Sequence, residues 1–358
     1  MASGGQEEMV LVTGATGHLA THITQQLLKA GYKVRGTVRS LKNEVKVKPL
    51  RDLCPDAKYP LELVEADLTQ PESWLEAVKG CTYVLHTASP FPNQDPKHED
   101  EVIKPAVEGT LSVLQACQAS GGVKRVVLTS SLAAISYGHT DVHNRTFTEA
   151  DWTNENGPGV SPYIKSKLLA EKAAWDFVKK LHDDEKFELA AINPSLIVGP
   201  VLCGGTATSM ELPIKLLNRE ILMLPQLSLG VCDVREVAAA HINAMKLPEA
   251  AGHRHITNTT TLWVEEMAQI IDKEFRPQGY KVPTSVAPKF LIRIAGLFDP
   301  TVKMIVPIIG QKHELDNSRY RNVLGINPRP VEESIIDMCY SMIETGRIRK
   351  TKLYKPRE

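Results

Sequence analysis

The apolar run Met9-Val10-Leu11-Val12-Thr13 stops at Gly14, and behind it Leu19, Ile23, Leu27 and Leu28 recur at helical spacing until Gly31. The two periods flank one glycine-rich turn, Gly14-Ala15-Thr16-Gly17-His18-Leu19-Ala20, and so specify a strand, a tight turn and a helix. A strand that feeds directly into a helix commits the chain to parallel pairing, because the helix must carry it back over the sheet before the next strand begins.

The pattern repeats along the first half of the chain. Residues 32–38, 61–66, 82–86, 123–128 and 187–192 read as further strands, the last stopped by Asn193-Pro194. Helices are predicted over 43–53, 71–79 and 101–119, and another begins near Tyr163 and runs to about Leu181, carrying Leu168, Leu169, Ala173 and Phe177. This alternation predicts an α/β fold with a Rossmann-type doubly wound parallel sheet. Ligands on such sheets bind at the carboxyl ends of the strands. The Gly14 turn, His86-Thr87-Ala88-Ser89, Thr129-Ser130-Ser131 and Pro194-Ser195 all fall at those ends and should share one crevice.

After Ile197 the punctuation changes to Gly199-Pro200 and Gly204-Gly205, then to short helices and loops. A helix over 233–245, a returning strand at 255–257 and helices over 263–275 and 331–344 complete the reading. We expect a dinucleotide-binding domain over 9–195, rejoined at about 231–260. A smaller C-terminal substrate-binding lobe takes 196–230 and 261–345, with tails at 1–8 and 346–358.

A chain of 358 residues has room for about two such units. Lys plus Arg and Asp plus Glu both number 42, so no global field attracts nucleic acid or an anionic membrane. The basic stretch from Arg347 to the C-terminus reads as a solvated tail. The six cysteines form no Cys-x-x-Cys pair and read as reduced thiols of a cytoplasmic protein. His139 with His143, and His253 with His255, lack partners that would complete a metal site. Residues 1–8 lack the apolar core of a signal peptide, and no run approaches about 18 apolar residues, so no membrane span is expected. Without secretion, Asn144-Arg145-Thr146 and Asn258-Thr259-Thr260 are accidental sequons.

Between a strand and a helix, the Gly14 turn offers helix N-terminal amides to a pyrophosphate. Gly14 permits the turn and Gly17 a close approach of the main chain, with Thr16, His18 and Leu19 beside them; Ala20 stands where a third glycine is usual. A chain selecting NAD carries an acid roughly 20 residues later, for the ribose 2′-hydroxyl. Here the second strand ends Val38-Arg39, whose guanidinium suits a 2′-phosphate, and Lys42 or Lys46 adds charge. The cofactor inferred is NADPH. Asp67, after the third strand, either accepts from an adenine amine, caps the helix near Pro71 or starts a turn.

Tyr163 and Lys167 are four residues apart and project from one helix face. A fixed ammonium favours the phenolate, so Lys167 should depress the Tyr163 pKa from its ordinary value of about 10. Ser131 emerges at the same sheet edge. Together the three can hydrogen-bond a carbonyl, protonate it as hydride arrives, and hold the nicotinamide ribose.

The set Val12-Thr13-Gly14-Ala15-Thr16-Gly17, Val38-Arg39, Ala66-Asp67-Leu68, His86-Thr87-Ala88-Ser89-Pro90, Thr129-Ser130-Ser131, Tyr163 with Lys167, and Asn193-Pro194 resembles the extended short-chain dehydrogenases. The nearest subgroup is that of dihydroflavonol reductase, cinnamoyl-CoA reductase and the NADPH-dependent aldehyde and methylglyoxal reductases. The resemblance spans residues 9 to 345. It implies a reversible NADPH-dependent carbonyl reductase with Ser131, Tyr163 and Lys167 as the catalytic triad and Ser130 as the neighbouring candidate serine. It also implies that Asp67 and Leu68 touch adenine, that Thr87 and Ser89 line the nicotinamide side, and that Pro194 supports the ring. The partner is then a small-molecule carbonyl substrate, and the chain a monomer or homodimer. Sugar-nucleotide epimerases or dehydratases, hydroxysteroid dehydrogenases and a non-catalytic dinucleotide sensor are the rival readings. Residues 199–210, where such enzymes shape the substrate pocket, match no subgroup pattern.

Overall fold

The computed structural model describes residues 8–90, 98–203, 207–298, 302 and 305–357. The Gly204-Gly205 punctuation, residues 1–7 of the N-terminal tail and Glu358 lie outside them. Strand β1 (Met9–Val12) enters α1 (His18–Lys29), followed by β2 (Lys33–Val38), α2 (Glu44–Arg51), β3 (Glu62–Glu65) and α3 (Ser73–Val78). Then come β4 (Tyr83–His86), α4 (Asp100–Ser120), β5 (Arg125–Thr129), β6 (Thr146–Phe147) and α5 (Pro162–Lys179). The chain continues through β7 (Glu188–Pro194), β8 (Leu196–Val198), α6 (Glu211–Leu217), β9 (Ser228–Asp233) and α7 (Val234–Lys246). After these lie β10 (Arg254–Thr257), β11 (Thr260–Trp263), α8 (Val264–Phe275), β12 (Glu314–Leu315) and a helix over Val331–Glu344.

Seven strands form one sheet in the order β10-β7-β5-β4-β1-β2-β3. All its pairings are parallel. Alternation along β1 divides the two faces. Val10 and Val12 pack with Ile23, Leu27 and Val237 of α1 and α7, whereas Leu11 joins Trp74, Leu114 and Ala174 of α3, α4 and α5. Leu11 is wholly buried, and truncating such a side chain to alanine costs about 2–5 kcal/mol. The strand order reverses between β1 and β4, so the crevice opens at their carboxyl ends.

Three expectations are corrected. β7 runs through Asn193 and Pro194 instead of stopping before them. The N–H groups that bind the β10 side come from Ala191 and Ser195, so the donor that proline lacks is not needed there. The region after Ile197 is not only short helices and loops. It contains a second sheet, β11-β9-β8, with β9 antiparallel to β11 and parallel to β8. Gly230 disguises β9, and its lack of a side chain has a packing cause: an added Cβ would lie 2.7 Å from Asn258 Oδ1. This sheet, α8 and the Val331–Glu344 helix enclose a second core of Val198, Val231, Ile271, Phe275 and Met338. The C-terminal tail is docked on that core and is not a free solvated end. The Tyr354 ring lies 6.2 Å from Tyr340, the Lys355 N–H donates to Gln278 Oε1 at 3.2 Å, and Arg357 pairs with Asp337. Among the described residues no helix is long and apolar enough to cross a membrane.

Candidate active site

Gly14 adopts φ +66, and a Cβ there would sit 3.2 Å from both Cα and Cβ of Ala88, so only glycine fits without strain. The turn is fastened to β2, with Gly14 N–H on Thr37 Oγ1 at 2.9 Å and Ala15 N–H on the Thr37 carbonyl at 2.9 Å. It is fastened to β4 by Thr13 Oγ1, which accepts from the N–H groups of Thr87 and Ala88. No side chain caps the start of α1 at Gly17, which leaves its first amides available to an anion. The side chains of His18 and Leu19 are buried, so what they offer a ligand is backbone. Thr16 is half-buried at the turn. The Thr87 hydroxyl is committed to the Thr13 carbonyl at 2.5 Å.

At the far end, Arg39 is exposed just beyond β2. The Ala66 N–H donates to the Val38 carbonyl at 3.0 Å, which brings the end of β3 alongside. Asp67 starts a turn, with Oδ1 accepting from the Thr69 N–H and hydroxyl at 2.8 and 2.7 Å. These bonds, with the Arg39 charge, hold its carboxyl below the ordinary range against the opposing effect of burial. Of the three roles left open for Asp67, the turn is present. Glu65, the neighbouring acid, accepts from the Leu41 N–H at 2.7 Å. Lys42 and Lys46 are exposed beside Arg39 in sequence. Leu68 packs on α4, where a Cβ on Gly109 would come within 3.0 Å of it.

The candidate reacting side chains follow β5 or lie on α5. Ser161 caps α5 by accepting from the Ile164 N–H at 3.3 Å, which sets Tyr163 in the first turn, at the cleft edge. Ser131 leaves β5 with extended backbone, and its Oγ accepts from the Ala133 N–H at 3.1 Å. That hydroxyl is close enough to the Tyr163 phenol to act on its pKa. Lys167 Nζ donates to Ser89 Oγ at 3.1 Å and lies 6.0 Å from the Tyr163 ring centre. The structure thus brings Ser89, Ser131, Tyr163 and Lys167 together. Ser130 turns to a different partner: its Oγ donates to the buried Glu171 at 2.5 Å.

The electrostatics differ from expectation at one point. Tyr163 is 45% exposed as a residue, but its hydroxyl end is desolvated, and this raises the pKa, with Ser131 acting in the opposite direction. The Lys167 charge does not overcome that desolvation, so the expected net depression is absent. Burial lowers the pKa of Lys167 itself to about 8, because an ammonium with few water neighbours sheds its proton more readily. Near Lys167, His86 is fully buried, bonded to Thr13 Oγ1 at 2.8 Å, and held neutral with a pKa of about 3 by burial and then by the Lys167 charge. Pro194 is buried at the end of β7.

Two side chains beside the triad went unnoticed in the sequence. Tyr137 is close enough for the Tyr163 charge to raise its pKa, after burial. Its ring lies 5.5 Å from His313, which stacks on Phe147 at 5.4 Å and bonds Ser136 Oγ at 3.0 Å. Tyr137, shortly after Ser131, was open to inference from that proximity; nothing local marks His313.

Residues 10–259 match the profile of the NAD dependent epimerase/dehydratase family. The chain belongs to that family. It is 34% identical to a cinnamoyl-CoA reductase of Medicago truncatula, over 96% of this chain and 98% of the relative. It is 35% identical to a dihydroflavonol 4-reductase of Hordeum vulgare, over 79% of each. Among solved structures, yeast methylglyoxal/isovaleraldehyde reductase Gre2 complexed with NADPH aligns with a TM-score of 0.77 and 30% identity, over 95% of this chain and 100% of that one.

Proposed function

We propose that this protein is an NADPH-dependent carbonyl reductase that converts an aldehyde or ketone to an alcohol, reversibly, through Ser131, Tyr163 and Lys167. The observation that carries the reading is the Ser131 hydroxyl acting on the Tyr163 phenol, with the Lys167 ammonium 6.0 Å from the ring centre, at the carboxyl edge of the sheet. The cofactor fits the residues present: an uncapped helix start, a glycine pressed against Ala88 and a cation at the end of β2. Gly14, Thr16, Gly17, His18 and Leu19 hold the pyrophosphate through backbone groups, and Arg39, assisted by Lys46, holds the 2′-phosphate. Asp67 and Leu68 border adenine; Ser89, Lys167 and Pro194 border the nicotinamide end. Residues 9–195 with 231–260 form the cofactor domain, and 196–230 with 261–345 the substrate lobe. This division is supported by β10 joining β7 and α7 packing with α1.

Bound NADPH supplies hydride. Tyr163 donates its proton to the carbonyl oxygen, and the Ser131 hydroxyl holds that oxygen in place as negative charge develops. Lys167 stabilises the resulting phenolate and anchors the cofactor side of the cleft through its reach to Ser89. Desolvation keeps Tyr163 protonated at neutral pH, as a proton donor requires. The absence of an acid at position 39 favours this reading over an NAD-retaining epimerase. We place the protein in the cytoplasm, where its six unpaired thiols stay reduced.

The test is direct. Purified protein should consume NADPH when given small aldehydes, α-dicarbonyls or ketones and yield the matching alcohols. A broad carbonyl panel with no NADPH-dependent alcohol formation would refute the reading.

A further inference from the structure

Beneath Ser131 lies a buried ion pair that the chemistry above does not use. Glu171 stands one turn beyond Lys167 on α5 and is 1% exposed; Arg254, from β10, is 7% exposed. Arg254 donates to Glu171 twice, Nε to Oε1 at 2.6 Å and Nη2 to Oε2 at 3.2 Å. Trp175 Nε1 adds a bond to Oε1 at 3.1 Å. Oε2 also accepts from Ser130 Oγ at 2.5 Å and Asn193 Nδ2 at 2.7 Å. The same Asn193 amide donates to the Ser131 carbonyl at 3.2 Å. One carboxylate therefore fixes α5, the end of β5 and the end of β7 in mutual register and reaches the Ser131 backbone through Asn193. A hollow of about 20 Å³ that both Lys167 and Glu171 line, with Thr110 and Ser130 but also apolar Ala106 and Leu128, has room for one water.

Stability alone does not account for this arrangement, since well-packed apolar residues of similar volume commonly stabilise a core as well as a buried pair does. A directional network does something apolar packing cannot: it specifies one placement for the groups it bonds. We propose that Glu171 is a positioning residue, whose Arg254-clamped carboxylate holds Ser130 and Asn193 so that Ser131 Oγ stays on the Tyr163 hydroxyl. The inference rests on the reductase reading for its kinetic arm only.

The experiment is a double-mutant cycle of Glu171→Gln with Ser131→Ala, read by steady-state kinetics and crystallography. The amide swaps one acceptor for a donor, so Ser130, Asn193 or Arg254 must move. Glu171→Gln should lower kcat about tenfold in the parent, with KM for NADPH within about twofold, since misplacements below about 1 Å already carry such losses. In the Ser131→Ala background the same change should cost less than about twofold, because the group it positions is gone. Glu171→Asp should recover part of the loss. A crystal structure of Glu171→Gln, which needs no turnover, should show Ser131 Oγ displaced from Tyr163 by about 0.5 Å or more. An unmoved Ser131, an unchanged kcat, or equal losses in both backgrounds would overturn the proposal. If Glu171→Gln fails to fold, Ser130→Ala, which spares the ion pair, takes its place with an expected loss of about threefold and the same readings. Tyr163→Phe run in parallel separates the two claims: full turnover by it defeats the reductase reading, whereas its loss beside a fully active Glu171→Gln defeats this inference alone.

Discussion

Carbonyl reduction by this site should fail on the alkaline side near pH 8, and the residue responsible should be Lys167. Burial brings its pKa from an ordinary 10.5 to about 8, while the Tyr163 phenol, desolvated, is pushed above its usual 10. The two alkaline ionisations are therefore well separated, and the lower one belongs to the amine. Reduction needs both groups protonated: the phenol to give its proton, the ammonium to stabilise the phenolate. The rate should be half-maximal near the Lys167 pKa and then fall about tenfold per pH unit, a loss of about 1.4 kcal/mol of transition-state stabilisation for each unit. Rates should be measured from pH 6 to 10 with NADPH and carbonyl both limiting, so that the profile reports the free protein. Lys167→Arg, whose guanidinium stays charged up to about pH 12, should remove the alkaline limb even where its maximal rate is lower. A parent profile flat to pH 10, or one that Lys167→Arg leaves unchanged, would refute the reasoning.

Arg39→Asp should lower the NADPH-to-NADH ratio of kcat/KM by roughly tenfold or more, the low end for charge-assisted bonds because Arg39 is exposed; an unaltered ratio would remove Arg39 from phosphate binding. Acid should destabilise the fold well before the carboxylates protonate. His18, His22, His86, His241 and His255 are buried, with pKa values lowered to about 3 or 4, chiefly by burial. The unfolded chain takes up these protons near pH 6.5 and the folded chain does not. Stability present above pH 6.5 is thus lost as pH falls, by up to about 1.4 kcal/mol per unit for each histidine. Urea midpoints should drop steeply between pH 6.5 and 5, and a flat series would contradict the burial of these rings.

The parallel sheet was legible because its signals are local: each apolar run, its stopping glycine or polar residue and the following helical period lie within one supersecondary unit. Tyr163 and Lys167 were legible for the same reason, since helical spacing alone puts them on one face. The second sheet was not, because β8 meets β9 across a long intervening stretch and Gly230 imitates a loop for the sake of close packing against Asn258. Two hydroxyls side by side, Ser130 and Ser131, left the catalytic serine open by one position. That Ser130 is engaged by Glu171 is visible only in the tertiary structure. The Tyr163 pKa was read in the wrong direction because spacing reports a neighbouring charge but not the desolvation that outweighs it. The tail, read as solvated from its lysines and arginines, is held by Tyr354 and Arg357, whose partners Tyr340 and Asp337 lie on the preceding Val331–Glu344 helix and are brought within reach only when the chain folds back on it.

If Tyr163 is the proton donor at an NADPH-bearing cleft, Tyr163→Phe should separate binding from turnover, because the ring stays and only the hydroxyl goes. The variant should bind NADPH within about twofold of the parent by fluorescence titration while turnover of an accepted carbonyl falls by about 100-fold or more. Turnover equal to the parent's, with NADPH bound, would contradict that role for Tyr163.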